Sequence, residues 1–97
     1  RIGKIILVQE VLNSDNLVRL TVDFGNHTRK ILSGMKKERN DIQEILGKQA
    51  LFVVNLKPRK IMGEMSEGML FDVGFSDGIN PALAVPEREV PNGVRAG

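Results

Sequence analysis

The chain has no cysteine, tryptophan or tyrosine, and it has one histidine, His27. The missing thiols exclude disulfide frameworks, thiolate zinc sites and cysteine nucleophiles. A single histidine also excludes metal sites built from several imidazoles. No apolar run approaches the roughly 18 residues of a membrane-spanning helix, and no signal peptide is visible. The first residue is Arg1 rather than methionine, so we expect a trimmed chain or one domain of a longer protein.

The composition is that of a globular protein. Hydrophobic residues make up 41% of the 97 residues and charged residues 27%, as is typical of a folded soluble domain. A domain of this length buries somewhat over ~60% of the surface of its unfolded chain, so one core can form without disulfides or metals. We therefore expect a single domain over residues 1–97.

The net charge is +2, but it is unevenly distributed along the chain. Residues 28–60 carry nine basic and three acidic side chains, whereas residues 61–97 carry two basic and six acidic ones. The middle of the chain therefore predicts a positive surface that can meet a polyanion. Charge alone agrees equally well with lysines that only solvate the surface.

Apolar periodicity and turn residues predict five strands and one short helix. Between the third and fourth strands, Asn40 can cap a helix, Gln43 can complete a capping box, and Gly47 can end the helix in a left-handed conformation. The five strands are expected at residues 2–12, 17–24, 27–32, 49–56 and 68–75.

This order of elements is typical of the OB-fold, a five-stranded, partly open Greek-key barrel. We predict an all-β protein with its barrel over residues 1–75 and a C-terminal extension over residues 76–97. OB-folds bind oligonucleotides across strands two and three and through the loops that follow strands one and four. In this sequence those loops are 13–16 and 57–67.

The second of these loops is basic. Pro58 fixes the backbone where the chain leaves the sheet, and Lys57, Arg59 and Lys60 surround it in a stiffened segment that can track phosphates. Gly63 is expected to permit a turn. We predict nucleic-acid contact here, because the positive charge coincides with an OB-fold binding loop. The alternative is a solvated loop whose lysines aid solubility.

Two further glycines and one serine lie near the expected groove. Gly68 is expected to permit the close approach of another backbone segment, and Gly34 to permit the corner after the third strand. Ser33 precedes that corner, and its hydroxyl can contact RNA or serve the fold.

Aromatic residues are scarce, which limits the mode of recognition. Most of the four phenylalanines lie in apolar strand runs and are predicted to belong to the core, so no platform for stacking single-stranded bases is apparent. Recognition of structured RNA by shape and phosphate is favoured instead. The four are Phe24, Phe52, Phe71 and Phe75.

An enzymatic function has little support in the sequence. Candidate acids and bases exist at Asp15, Asp23, Asp72 and Asp77, but they form no apparent nucleophile–base arrangement. A P-loop and a dinucleotide fingerprint are absent. We predict a protein that is not an enzyme and that uses no metal or cofactor.

Residues 55–69 resemble the signature of the tRNA-binding domain family, whose pattern is close to Asn-Leu-Lys-Pro-x-Lys-(Leu/Met)-x-Gly-x-x-Ser-x-Gly-Met. The resemblance extends over nearly the whole chain, from residues 1–5 to 86–93, although Val11 and Leu12 replace the usual His-Pro pair. Family members include C-terminal domains of methionyl-tRNA synthetases and free-standing tRNA-binding proteins. The matching positions are Asn55, Leu56, Lys57, Pro58, Lys60, Gly63, Ser66, Gly68 and Met69.

The resemblance implies a cytoplasmic protein that recognises the bent outer shape of tRNA with little dependence on sequence. A synthetase catalytic domain is a further possible partner, and no membrane association is expected. The predicted roles are phosphate contacts from Lys57, Arg59 and Lys60, hydrogen bonds from Asn55, Ser33 and Ser66, and a groove-floor contact from Met69.

The chain also resembles a sister branch, the CsaA secretion-associated chaperones, which share the Val-Pro-Asn-Gly ending. Those proteins typically have Gln-Ser-Ser-Ala where this chain has residues 30–34, and Ser-Glu-Val-Leu where it has 66–69. The match to the tRNA-binding branch is better, but Glu67 and the ending keep a chaperone for unfolded polypeptide as the alternative. A third hypothesis is that the chain is an appended domain of a synthetase that serves only for dimerisation.

The C-terminal extension predicts a homodimer. It contains too many apolar residues for a free tail, and its prolines favour extended segments that must pack on something. The partner is expected to be a second copy, because the resembling family is commonly dimeric. The alternative is a cover on the domain's own barrel. The apolar residues are Ile79, Leu83, Val85, Val90 and Val94.

Overall fold

Alternating apolar residues build a domain of short antiparallel strands. The computed structural model describes all residues, 1–97. Two single 3₁₀ turns, Ile42–Ile45 and Phe75–Asp77, interrupt the strands. The strands are β1 Ile2–Glu10, β2 Val18–Asp23, β3 Thr28–Ser33, β4 Gln49–Val53, β5 Arg59–Ile61, β6 Glu64–Ser66, β7 Met69–Leu70, β8 Asp72–Val73 and β9 Ala82–Leu83.

The main sheet has the strand order β3-β2-β1-β4-β7, and every pair in it is antiparallel. The chain just before β7 returns to the free edge of β3, where the Glu67 N–H donates to the Lys30 carbonyl at 2.8 Å. The sheet thus curls into a nearly closed five-stranded barrel. The predicted all-β, OB-type barrel is confirmed.

The barrel interior is filled by every second residue of the strands, as their side chains alternate between the two faces. Phe24 and Phe52 meet edge to face with their ring centroids 5.7 Å apart, a favourable aromatic geometry. Ile45 from the first 3₁₀ turn is fully buried against the core. The other core residues are Ile5, Val8, Val18, Leu20, Val22, Ile31, Met35, Ala50 and Leu70.

The predicted helix is only one 3₁₀ turn, and its cap is Asp41 rather than Asn40. The Asp41 carboxylate accepts the Gln43 N–H at 3.0 Å. The Gln43 side chain does not close a capping box but donates to the Val8 carbonyl at 2.9 Å, which ties the turn to β1. Gly47 follows in a left-handed conformation, as expected, with φ +85°. That break comes too soon after the cap for a second turn to form.

Residues 57–67, expected as a loop, contain a small β-hairpin of β5 and β6. We call residues 57–67 the basic hairpin. Met62 and Gly63 at its tip both have positive φ, +50° and +82°, which matches a two-residue turn of type I′. The turn expected from Gly63 is therefore present.

The predicted fifth strand is split, and two of the four phenylalanines lie outside the core. β7 stays in the barrel, whereas β8 turns away to pair with β9. Phe71 is 46% exposed and Phe75 is 72% exposed, so the core prediction holds only for Phe24 and Phe52. Phe71 follows the inward-facing Leu70 and therefore points to the opposite face of the strand, and Phe75 lies in the second 3₁₀ turn, after Gly74 with φ +105°.

The C-terminal extension packs on its own barrel. Ile2 exchanges backbone hydrogen bonds with this segment, donating to the Val94 carbonyl at 2.9 Å and accepting from the Gly93 N–H at 2.7 Å. The Gln49 side chain bonds both the N–H and the carbonyl of Val90. The cover considered as the alternative is thus present. It supplies backbone partners to Ile2, because the ladder between β1 and β2 begins only at Lys4 and Asp23.

The conformation of Met62 predicts that Met62→Asn stabilises the domain. A left-handed backbone costs an ordinary L-residue about 1–2 kcal/mol, whereas Asn-Gly is the preferred pair for this turn. We expect the free energy of unfolding to rise by about 1 kcal/mol in urea titrations. Met65→Asn is the matched control, because Met65 is exposed within β6 and gains nothing there. An equal effect of both substitutions would contradict the turn assignment.

Candidate nucleic-acid interface

The two faces of the basic hairpin have different surroundings. In its register, Arg59 lies opposite Ser66, Lys60 opposite Met65, and Ile61 opposite Glu64. Paired residues point to the same side of a hairpin. Arg59 and Ser66 therefore share the face that turns toward β3, while Lys60 and Met65 share the face that turns to solvent.

Ser66 anchors the hairpin to the barrel. Its side chain is almost fully buried. Its hydroxyl accepts the Leu32 N–H at 3.0 Å and donates to the Gly68 carbonyl at 2.9 Å. Both hydrogen bonds lie inside the domain, so the Ser66 hydroxyl has a structural role in holding the hairpin against β3.

Two charged residues, Glu67 and Arg29, which were not among the predicted site residues, complete this anchor. The Glu67 carboxylate accepts the Lys30 N–H at 2.9 Å. The Arg29 guanidinium donates to the carbonyls of Val54 and Glu67, both at 2.9 Å. The available signal was the strand alternation, since Arg29 stands two residues before the fully buried Ile31 and so points inward at the end of β3.

A bidentate ion pair fixes the hairpin near its tip. Arg19 on β2 donates through Nε and Nη2 to the two carboxylate oxygens of Glu64, at 2.6 and 2.7 Å. The hydrogen bond from Arg19 lowers the pKa of Glu64 below its ordinary value, and the same bond raises the pKa of Arg19. The hairpin is thus held across β3, with one end on β3 and the other on β2.

The hairpin's own cations remain free. Lys57, Arg59 and Lys60 are exposed, and none of them belongs to the four ion pairs of the domain. Their positive charge is therefore not neutralised by neighbouring carboxylates. The four pairs are Arg19–Glu64, Lys36–Glu10, Arg39–Glu44 and Arg88–Glu87.

A groove of about 310 Å³ separates the hairpin from β3 and β7, and we call it the hairpin groove. Lys57 and Arg59 border it, with Ser66 and Gly68 at its base. A Cβ on Gly68 would lie 2.9 Å from the Val53 carbonyl oxygen, so the expected close backbone approach is present. The apolar lining of the hairpin groove consists of Leu32, Leu56, Ile61 and Met69.

The structure brings some of the predicted site residues together and separates others. Met69 is half exposed and lies in the groove with Lys57 and Arg59. Asn55 lines a different cleft, of about 440 Å³, beside Phe71. Ser33 is half-buried at the end of β3 and is not part of either cleft.

Gly34 has the structural role expected of it. A Cβ at this position would lie 2.9 Å from the Asn16 side chain, and the Lys36 N–H donates to the Asn16 carbonyl at 3.0 Å. The corner after β3 therefore packs directly against the first loop.

No three His, Cys, Asp or Glu side chains are grouped to hold a metal ion, and no helix has the length and apolarity to cross a membrane.

Similar solved structures have the same fold. The MetRS related protein from Pyrococcus horikoshii superposes with a TM-score of 0.89 at 36% identity, covering 99% of this chain and 86% of that one. The chaperone CsaA from Bacillus anthracis superposes with a TM-score of 0.83 at 26% identity, covering 100% of this chain and 88% of that one. Both branches considered from the sequence thus share this barrel.

Sequence relatives identify the family. A methionine–tRNA ligase from Methanococcus vannielii is 41% identical over 93 residues, which are 96% of this chain and 14% of the ligase. The chain therefore spans about a seventh of the length of the curated relatives that it matches. Residues 1–95 match the family described as "Putative tRNA binding domain". The resemblance seen in residues 55–69 is confirmed, and the chain belongs to the putative tRNA binding domain family.

Proposed function

We propose that this domain binds tRNA by its structure rather than its sequence, with the basic hairpin as the main contact surface. Lys57, Arg59 and Lys60 contact phosphates, and Met69 contacts the RNA from the groove. The domain acts as a binding module without catalytic chemistry of its own. The observation that carries the proposal is the set of three unpaired cations on a hairpin whose backbone is fixed at both ends.

Pre-organisation is the physical reason why this surface suits a structured RNA. A loop that is ordered before binding loses little conformational entropy when its ligand arrives. Phosphate contacts fix the position of a nucleic acid but carry no base information, so recognition follows the spacing of the phosphates. Asn55 in the neighbouring cleft and Ser33 at the end of β3 extend the contact surface beyond the groove. Ser66 supports this surface by fixing the hairpin through its internal hydrogen bonds.

The module works in the cytoplasm, either as a free-standing protein or as an appended domain of an aminoacyl-tRNA synthetase. The second arrangement is supported by the methionine–tRNA ligases, in which the matching segment is a small part of a longer chain. In that setting the synthetase catalytic domain is a partner, and this domain increases the local concentration of tRNA beside it.

A second candidate function is that of a CsaA-like chaperone for unfolded polypeptide. Its support is the similarity to the CsaA structure and a set of exposed apolar side chains at the C-terminal end of the barrel, since such patches mark interaction sites. Filter binding separates the two functions: tRNA retention without competition by an unfolded polypeptide supports the first, and the reverse supports the second. The exposed residues include Phe71, Val73, Phe75 and Ile79.

We also propose that two copies associate through part of this apolar surface. The C-terminal extension packs largely against its own barrel, but Val73, Phe75 and Ile79 are each more than half exposed. A two-fold pair would present two basic hairpins to one tRNA, which widens the positive surface.

Dissection of the hairpin cations tests the main proposal. Lys57→Ala and Lys60→Ala are each expected to weaken binding of all tRNAs alike and to reduce the slope of log affinity against log salt by about 0.7–0.9. Unfolding free energy is expected to change by less than about 0.5 kcal/mol, because both lysines are exposed. Filter binding of bulk tRNA over a salt series measures the slope. Lys48→Ala is the control, since Lys48 is also exposed but precedes β4 and lies outside the basic hairpin.

A salt-independent affinity, or an equal loss in the Lys48 variant, would contradict phosphate binding by the hairpin. Loss of binding to one tRNA species only would indicate base readout instead. A large fall in melting temperature would mean that the lysines serve the fold.

Proton linkage tests how the hairpin is held. Because its pKa is lowered in the folded state, Glu64 contributes stability above its ordinary pKa of 4.5, and this contribution is lost as the pH falls through the lower folded value. We expect Glu64→Gln to lower the urea midpoint at neutral pH and to have a progressively smaller effect as the pH falls below 4.5. Glu89→Gln, which removes no ion pair, is expected to be neutral throughout. A deficit in the Glu64 variant that does not shrink in acid would contradict the ion-pair assignment.

Light scattering tests the dimer. The wild type is expected to have twice the single-chain mass at micromolar concentration, and Phe75→Glu to shift it to a monomer. Leu12→Glu, at another strongly exposed apolar position, is expected to remain dimeric. A wild-type mass equal to one chain, unchanged on concentration, would contradict the proposal.

A further inference from the structure

We infer that the hairpin groove receives one unpaired nucleobase of the bound tRNA, while the adjoining phosphates rest on Lys57 and Arg59. This inference rests on the proposed tRNA binding, and it adds a contact that phosphate recognition alone does not need. It also accounts for the four apolar side chains that line the groove.

The lining of the groove suits a flat ring. Leu32 and Ile61 form apolar walls from opposite elements, one on β3 and the other on β5. Met69 adds a flexible and polarisable thioether, which packs favourably against aromatic rings. No aromatic residue lines the groove, so this sulfur takes the role that an aromatic side chain usually has in stacking on a base.

Unused hydrogen-bond donors border the same space. The backbone N–H groups of Lys57 and Gly68 donate to no acceptor within the domain, in contrast to the Ser66 hydroxyl beside them. A base carries acceptors on its edges. An apolar cleft with a few polar groups is the usual form of a small-ligand site, and about 310 Å³ is at the small end of the usual range of about 300–1,000 Å³.

Charge decides between a nucleotide and a peptide side chain as the occupant. Lys57 and Arg59 border an apolar cleft and have no carboxylate partner. An apolar side chain of an unfolded polypeptide would fill the cleft without using these charges. A nucleotide uses both parts, because its base is apolar on its faces and its phosphate is anionic.

The two parts of this contact respond differently to salt. Phosphate neutralisation weakens as salt rises because counterion release becomes less favourable, whereas burial of a base is insensitive to salt. Removing the base contact should therefore lower tRNA affinity by a constant factor at every salt concentration. Removing a phosphate contact should change the slope.

Met69→Gln in the full chain tests this difference. The substitution keeps the length of the side chain but removes its apolar, polarisable end, and Met69 is half exposed, so the fold should tolerate it. We expect tRNA affinity to fall about tenfold, equivalent to about 1.4 kcal/mol, with an unchanged salt slope. Met65→Gln is the matched control, because Met65 is equally exposed but lies on the outer face of the hairpin. Leu56→Gln provides a second groove variant outside the strands.

Methyl NMR gives a readout independent of affinity. The chain has four methionines, so each ¹³C-labelled methyl group reports separately. A base stacked in the groove moves the Met69 methyl resonance upfield through its ring current, while Met35 stays in place because it is buried in the core. Met62 and Met65 are expected to move little.

Each outcome has one meaning. Wild-type binding of tRNA with equal affinities for the Met69 and Met65 variants, or an unshifted Met69 methyl, would overturn the inference and leave the proposed function standing. Absence of tRNA binding by the wild type would overturn the proposed function itself. Displacement of the Met69 methyl by an unfolded polypeptide but not by tRNA would assign the groove to peptide and also overturn the inference.

Discussion

Closure of the barrel along β3 is the constraint on which the rest of the structure depends. The last barrel strand, β7, has only two residues, so a regular ladder cannot pair the free edge of β3. On that edge, the Leu32 N–H donates to the Ser66 hydroxyl and the Lys30 N–H donates to the Glu67 carboxylate instead. Arg29 also donates to the carbonyl of Val54, just after β4. Unpaired backbone groups at a buried edge are costly, so these bonds matter to the whole domain. They also fix where the basic hairpin begins and ends.

The cations of the domain divide into two groups with different tasks. Arg19 and Arg29 are used internally, where a planar guanidinium can hold two acceptors at once. Lys57 and Lys60 are left in solvent, where a flexible ammonium can meet a phosphate. A surface arranged in this way has both rigidity and free charge, which is the combination that the proposed recognition of a folded RNA requires.

The sequence predicted most of the barrel but little of its closure. Strand β2 was recognisable because Val18, Leu20 and Val22 alternate cleanly with polar residues. Strands β1 and β4 were recognisable because they lie in runs rich in apolar residues. The basic hairpin was taken for a loop, since strands of three residues that follow Pro58 and carry Lys and Arg give no apolar alternation. Its structure comes from tertiary partners, such as Arg19 for Glu64, which lie far away in the chain.

The same limit applies to the site. Lys57, Arg59 and Met69 were placed near one another because they share one motif, and the fold keeps them together around the groove. Ser66 was assigned to RNA from its place in that motif, yet its burial depends on β3, which local sequence does not reveal. Asn55 is the first residue of the same motif, two positions before Lys57, but it lines another cleft because the chain turns as it leaves β4.

Hydrogen–deuterium exchange of the full chain, with and without tRNA, tests the central claim most directly. The account predicts added protection in residues 57–69, strongest at the hairpin, with little change in the already protected strands β1 and β2. Protection confined to residues 73–88, or bound tRNA without any added protection of the hairpin, would contradict it.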